Sequence, residues 1–173
     1  MPHPLEAKYG LTSGDLLDAI ERLTVALEGA VAEVHFERKI RVGSQEGWIG
    51  EFETHDTDGS HDFTLFARSG SPIRVEVKTI RNGAKPKVEV QKTRNAKDDP
   101  SSRLYAADQF DVLAVCIGRF TGNWTEFRYA IADRLPRHRT YPNKLKVMHD
   151  VPLEPTEGTA WFSRLQEVID ELV

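Results

Sequence analysis

A chain of 173 residues fits a single hydrophobic core, since one domain usually runs to roughly 100–200 residues. Hydrophobic residues at 39% and charged residues at 29% exclude a disordered chain, because enough apolar surface is present to offset the entropy of ordering. The longest apolar run, Val112–Ile117, falls far short of the roughly 20 residues that span a bilayer.

Cys116 is the single cysteine and cannot form an internal disulfide. Met1–Pro4 lacks the basic start and apolar run of a secretory signal, so the expected compartment is the cytoplasm, with no membrane partner. The net charge of −4 argues weakly against nucleic acid as a ligand, yet the charge is unevenly spread. From Arg74 to Arg103, nine Lys or Arg stand against four acids, about +5 in all. Five more basic residues and no acid lie between Arg134 and Lys146. The acidic excess sits at the two ends, leaving a basic middle able to face phosphates.

In chain order, Thr12-Ser13-Gly14-Asp15 reads as a helix start, followed by Leu16, Leu17, Ile20, Leu23, Val25 and Leu27 at near-helical spacing. The stretch from Leu27 to Ile40 continues as helix, with Gly29 able to kink or divide it. Gly47, Gly50 and Gly59 around Trp48, Ile49 and Phe52 predict an irregular strand and then a loop. Residues 62–67 and 73–78 alternate and are joined by Arg68-Ser69-Gly70-Ser71-Pro72, which predicts a β-hairpin. With the turn centred on Gly70, Leu65 opposes Val75 and Asp62 opposes Lys78. Phe63, Leu65, Ile73, Val75 and Val77 then share a core face, and Asp62, Thr64, Glu76 and Lys78 share the other.

A third strand of the same meander is expected at Lys87–Lys92 after the Asn82-Gly83 turn, with Gln91 on its polar side. Ser101 or Ser102 caps an expected helix through Gln109. Phe110–Ile117 reads as a strand buried on both faces and Glu126–Ala132 as an alternating strand. Glu157–Leu172 reads as a closing amphipathic helix containing Trp161.

The polar face of the hairpin carries the chemistry. Two neighbouring carboxylates repel unless a hard cation lies between them, and Mg²⁺ accepts one or two carboxylates together with water and phosphate oxygens. Such an ion cancels phosphate charge and lowers the pKa of a water it holds. A lysine on the same face can orient that water and stabilise charge developing on phosphorus. The bland account of the trio is a cross-strand ion pair on a solvated sheet face. His55 and His61 beside Asp56 and Asp58 lack the spacing of a transition-metal cluster and read as a polar loop. Tyr105, Trp124, Phe127 and Tyr129 could stack on bases but read first as core.

An aspartate, a hairpin, and Glu76-Val77-Lys78 on an apolar strand resemble the PD-(D/E)XK superfamily of restriction-endonuclease-like nucleases, with His61-Asp62 standing where the family name has Pro-Asp. The likeness covers about residues 24–117. It implies an α/β (α+β) restriction-endonuclease-like core in a single nuclease-like domain over residues 1–173. Its central mixed sheet would hold an antiparallel three-strand meander flanked by helices, with residues 118–173 adding a strand and a C-terminal helix. Asp62 and Glu76, with the Val77 carbonyl, would hold Mg²⁺, Mn²⁺ being able to substitute. Glu33, in Gly29-Ala30-Val31-Ala32-Glu33, would support the metal, Lys78 would align the attacking water, and Gln91 would be an additional polar position.

By the same analogy Arg81, Lys85, Lys92, Arg94 and Arg103 would contact DNA phosphates. The implied activity is a Mg²⁺-dependent DNA endonuclease in restriction, defence or repair. It would act as a homodimer through the Trp161-containing helix, or within a larger restriction or repair assembly. The alternative is a nucleic-acid-binding or assembly module of the same fold that does not cut.

Overall fold

The computed structural model describes residues 3–57, 60–92 and 99–173. Two short helices, α1 (Pro4–Tyr9) and α2 (Ser13–Glu21), lead into the 23-residue α3 (Thr24–Glu46). The helix start expected at Thr12 is present: its hydroxyl accepts from the Asp15 amide at 3.2 Å while the Asp15 carboxylate accepts from the Thr12 amide at 3.0 Å. This reciprocal pairing satisfies two otherwise orphaned amides. The apolar residues after it do not reach a core. Neither α1 nor α2 buries a side chain, and Leu17 and Leu23 are 65% and 62% exposed. Gly29 lies within α3 without ending it.

The sheet strands follow as β1 (Phe52–Thr54), β2 (Phe63–Phe66) and β3 (Pro72–Thr79). After these come β4 (Lys87–Glu89) and β5 (Val112–Cys116), then the single turn of α4 (Gly118–Thr121) and β6 (Phe127–Ile131). The chain closes with β7 (Met148–Asp150), β8 (Trp161–Phe162) and α5 (Leu165–Leu172). Six strands form one mixed sheet in the order β1-β2-β3-β5-β6-β8, in which β3 and β5 run parallel and the other pairs antiparallel. The expected α+β class, with a central mixed sheet and an antiparallel meander flanked by helices, is what the chain adopts.

β5 anchors this arrangement. All five of its residues are buried, Val112, Ala114 and Cys116 in the core shared with α3 and α5, and Leu113 and Val115 in the core on the opposite side. The same alternation puts Ile73, Val75 and Val77 of β3 on the α3 side with Ala32, Phe36 and Ile40. Glu76 and Lys78 therefore face the second layer.

Four expectations are corrected. The hairpin pairs Leu65 with Ile73, Phe63 with Val75 and Thr64 with Arg74, two residues away from the expected register. The turn is tighter than a Gly70-centred loop: the Ala67 amide donates to Ser71 O at 3.0 Å, and Gly70 supplies the positive φ of +83° that the bend requires. Because the slip is even, every side chain keeps its face, but Asp62 no longer opposes Lys78.

The third meander strand is β1, not residues 87–92. β4 pairs with β7 in a separate two-stranded sheet and meets the chain just after β3 at the Ile80–Val88 bridge. The edge of β3 goes to β5. Burial of a Val or Leu contributes roughly 1.5–3 kcal/mol, and β5 buries five side chains where β4 buries one, Val88.

No helix forms over residues 101–109. Ser101 turns back to Asp99, its hydroxyl donating to Oδ1 at 2.8 Å, and the chain then extends so that Leu104 bridges Gln91 and Ala106 bridges Lys144. Among its described residues, the crossover from β3 to β5 thus holds β4 and turns instead of the usual helix.

The closing helix is α5 alone. Gly158, at φ +81°, turns the chain, and Trp161 and Phe162 pair with Ala130 and Tyr129 at the β6 edge, so Trp161 belongs to a strand and offers no helical dimer surface. Among the described residues no helix is long and apolar enough to cross a membrane.

Candidate functional site

Glu76 sits in the middle of β3 and is only 1% exposed, which excludes the account of the trio as a solvated ion pair. The strand's alternation sends its side chain toward the second layer, and Tyr105 from the 80–111 excursion covers it. One carboxylate oxygen, Oε1, receives both the Lys78 ammonium, at 2.5 Å, and the Tyr105 hydroxyl. The other, Oε2, is buried with no hydrogen-bond partner among the described residues. Burying an unpaired oxygen of a charged group is costly, so its persistence calls for an explanation.

Asp62 lies one residue before β2. Its amide donates to Val75 O at 3.0 Å and its Oδ2 accepts from the Val77 amide at 2.7 Å, which seats it beside Glu76. Burial, then repulsion from Glu76, pushes the Asp62 carboxyl up to about 7, against the opposing pull of the Val77 amide and Lys78. A carboxyl whose charge is disfavoured by burial beside a second carboxyl is the electrostatic setting of a cation site.

Glu33 projects from α3, and its surface is open to solvent. Its pKa is nonetheless raised, first by partial burial and then by Glu76 and Asp56, with Lys78 opposing. Glu33 thus belongs to the same electrostatic group. Among the described residues, however, no three Asp, Glu, His or Cys converge as a ready-made cage. Asp62, Glu76 and Glu33 thus interact electrostatically without converging as such a cage. The recorded bond from Val77 comes from its amide, not its carbonyl.

Gln91 pairs through its backbone with Leu104, and none of the hydrogen bonds around Glu76 involves it. Of the expected phosphate contacts, Lys92 lies beside Tyr105. Its ammonium stands 5.5 Å from the Tyr105 ring centroid, and its pKa is lowered by burial and then by Lys144, with Glu76 opposing. Arg103 is tied to Lys92, its Nε donating to Lys92 O at 3.2 Å. Arg81 is paired with Glu89 at the exposed end of β4, close to Lys85 in sequence and in the same surface hollow. Arg94 lies outside the described residues.

Two groups hold contacts that the sequence did not assign to them. Tyr105 is 4% exposed, donates to Glu76 and packs edge-on against Phe110 at 5.3 Å between ring centroids. An aromatic beside an apolar strand carries no local sign of such a role; only the fold brings it back 29 residues after Glu76. The second group is Thr64, 8% exposed, whose hydroxyl lies 2.8 Å from Nε2 of both His55 and His61. Its one proton serves one ring, and the other ring donates to it. Burial, then the His55 and Arg74 charges, lower the His61 pKa. The polar loop is therefore fastened to β2 next to Asp62.

No family model and no curated protein matches the chain. Among solved structures, the chain is similar to a bacterial homing endonuclease, I-Ssp6803I, at 15% identity and a TM-score of 0.49, with 78% of this chain and 82% of that chain covered. With so low an overlap, the functional reading depends on the side chains around Glu76.

Proposed function

We propose that the protein is a Mg²⁺-dependent DNA endonuclease of the PD-(D/E)XK type, with Asp62, Glu76 and Lys78 at its centre. The observation that carries this is the buried Oε2 of Glu76, unpartnered among the described residues, next to an Asp62 carboxyl pushed up to about 7. Both features fit a divalent cation held between Asp62 and Glu76, and two carboxylates are the usual complement for Mg²⁺. When bound, the ion would neutralise phosphate charge and activate water for attack on a phosphodiester.

The chain's own residues do the rest. Asp62 and Glu76 hold the ion, and Glu33 adds negative potential from α3. Lys78, 26% exposed at its side chain, reaches the site's open side, where its ammonium can orient the attacking water and stabilise charge on the phosphate. Lys92 and Arg103 border the site and supply contacts to backbone phosphates. A homodimer would let two such sites cut both strands, and restriction, defence or repair is the natural setting.

Incubation of supercoiled plasmid with Mg²⁺ or Mn²⁺, wild type beside Lys78→Ala, tests the reading. Nicking by the wild type alone, with DNA retention unchanged in Ca²⁺, is the expected result. Equal nicking by both proteins would refute the site. Retention of DNA with no cleavage by either would favour the non-cutting module.

A further inference from the structure

The group that holds Glu76 in place comes from outside the hairpin. We propose that Tyr105 is a positioning residue of the site: its hydroxyl occupies Oε1 of Glu76, so that Oε2 is the oxygen presented to a divalent cation. This inference rests on the nuclease reading above and deepens it.

Two donors reach Oε1, and they differ in what they can do. Lys78 ends in a mobile ammonium that lies 2.5 Å from Oε1 and 3.4 Å from the Tyr105 hydroxyl, which it also donates to. In the proposed reaction Lys78 must turn toward water and phosphate. Without another donor, Glu76 would then be free to rotate and to offer either oxygen. Tyr105 cannot leave in that way. Its ring is packed edge-on against Phe110 at 5.3 Å, and its backbone is pinned by the Leu145 amide, which donates to Tyr105 O at 2.9 Å. The flanking bridges Gln91–Leu104 and Ala106–Lys144 hold the segment on both sides.

Held in this way, the phenol hydroxyl remains a donor to Oε1 when Lys78 turns away. Groups of this kind, which touch a ligand and not the ion, set the orientation and basicity of the ligating oxygen. The irregular excursion between β3 and β5 thereby acquires a purpose, since the second sheet is the platform that carries Tyr105 to Glu76.

The test is Mn²⁺ binding followed by the paramagnetic resonance of free Mn²⁺, without DNA, for wild type, Glu76→Gln, Tyr105→Phe and Phe110→Leu. Binding by the wild type and its loss in Glu76→Gln are expected. Tyr105→Phe should weaken Mn²⁺ affinity by about 10–100-fold, the usual effect of removing such a partner. Phe110→Leu, which loosens the ring packing but spares the hydroxyl, should weaken affinity distinctly less than Tyr105→Phe does.

Wild-type affinity in Tyr105→Phe, or equal weakening in Phe110→Leu, would overturn the role of the hydroxyl and leave the nuclease reading standing. Absence of Mn²⁺ binding in the wild type, or unchanged binding in Glu76→Gln, would overturn both. Should Tyr105→Phe fail to fold, the wild type decides: a slowly exchanging Tyr105 hydroxyl proton resonance must persist when Mg²⁺ is added, and its disappearance refutes the proposal.

Discussion

The carboxylate of Asp62 is fastened to the backbone of Val77, whose amide donates to Oδ2 at 2.7 Å. This bond crosses from the end of one strand to the middle of the next, so the residue that opens the hairpin is held at the residue that flanks Glu76. It also separates two roles of Asp62, as an acceptor that closes the hairpin and as a charge.

Asparagine preserves the acceptor and removes the charge, whereas alanine removes both. Because Asp62 is ionised only against burial and Glu76 repulsion, Asp62→Asn is expected to melt at or above the wild-type temperature. Asp62→Ala leaves the Val77 amide unpaired and should lose about 1–3 kcal/mol. Both should lose plasmid cleavage. Thermal melts beside the nicking assay check this; a lower melting point for Asp62→Asn than for Asp62→Ala would contradict it.

Arg74 and Asp111 join β3 to the start of β5. The Arg74 amide and Nε donate to Asp111 Oδ2 at 2.8 and 3.0 Å, and Nη2 donates to Oδ1 at 2.8 Å. The side chains are about one third exposed, so the ion pair itself is screened; the amide bond matters more. Asp111→Ala should cost about 1–3 kcal/mol, and Asp111→Asn, which still accepts from the amide, distinctly less. Burial raises the Asp111 pKa, but the Arg74 bonds outweigh it and leave the group depressed. Its contribution is therefore present above the unfolded value of about 3.9 and lost as pH falls through the folded one. Urea unfolding of the three proteins at neutral pH measures the order, and equal midpoints would refute it.

His149 in β7 is 4% exposed, with Nε2 2.6 Å from Lys146 O, so the ring N–H donates to that carbonyl. Burial lowers its pKa, with the Lys146 charge acting in the same sense and the carbonyl bond and Asp150 opposing. A depressed histidine contributes stability in full above its unfolded value of about 6.5, and that stability is lost as pH falls through the folded value. Melting temperature should therefore drop between about pH 7 and 5. His149→Gln should flatten part of the slope; His61, also depressed, accounts for another part. An unchanged slope in His149→Gln would remove His149 from the account.

Much of the fold was legible because it is written in local periodicity. The Thr12 cap, the helix over Leu27–Ile40, the hairpin faces and the doubly buried β5 all follow from spacing within a few residues. The errors came where a segment's partner lies far away. Lys87–Glu89 looks like the next strand of a meander, yet β5 takes the edge of β3 and β4 pairs with β7 about 60 residues on. Trp161 fits a helical stripe equally well, but the free edge of β6 claims it as a strand.

The shared face of Asp62, Glu76 and Lys78 was determined by sequence alone, because alternation on a strand survives any even slip in register. What those residues meet was decided by tertiary structure. The parallel pairing of β3 with β5 forces the chain through a long excursion, and that excursion buries Glu76 beneath Tyr105 and leaves Oε2 without a partner among the described residues. Periodicity can tell which side of a sheet a carboxylate occupies. Whether that side is water or a buried, charged layer depends on contacts between residues that the chain separates and only folding unites.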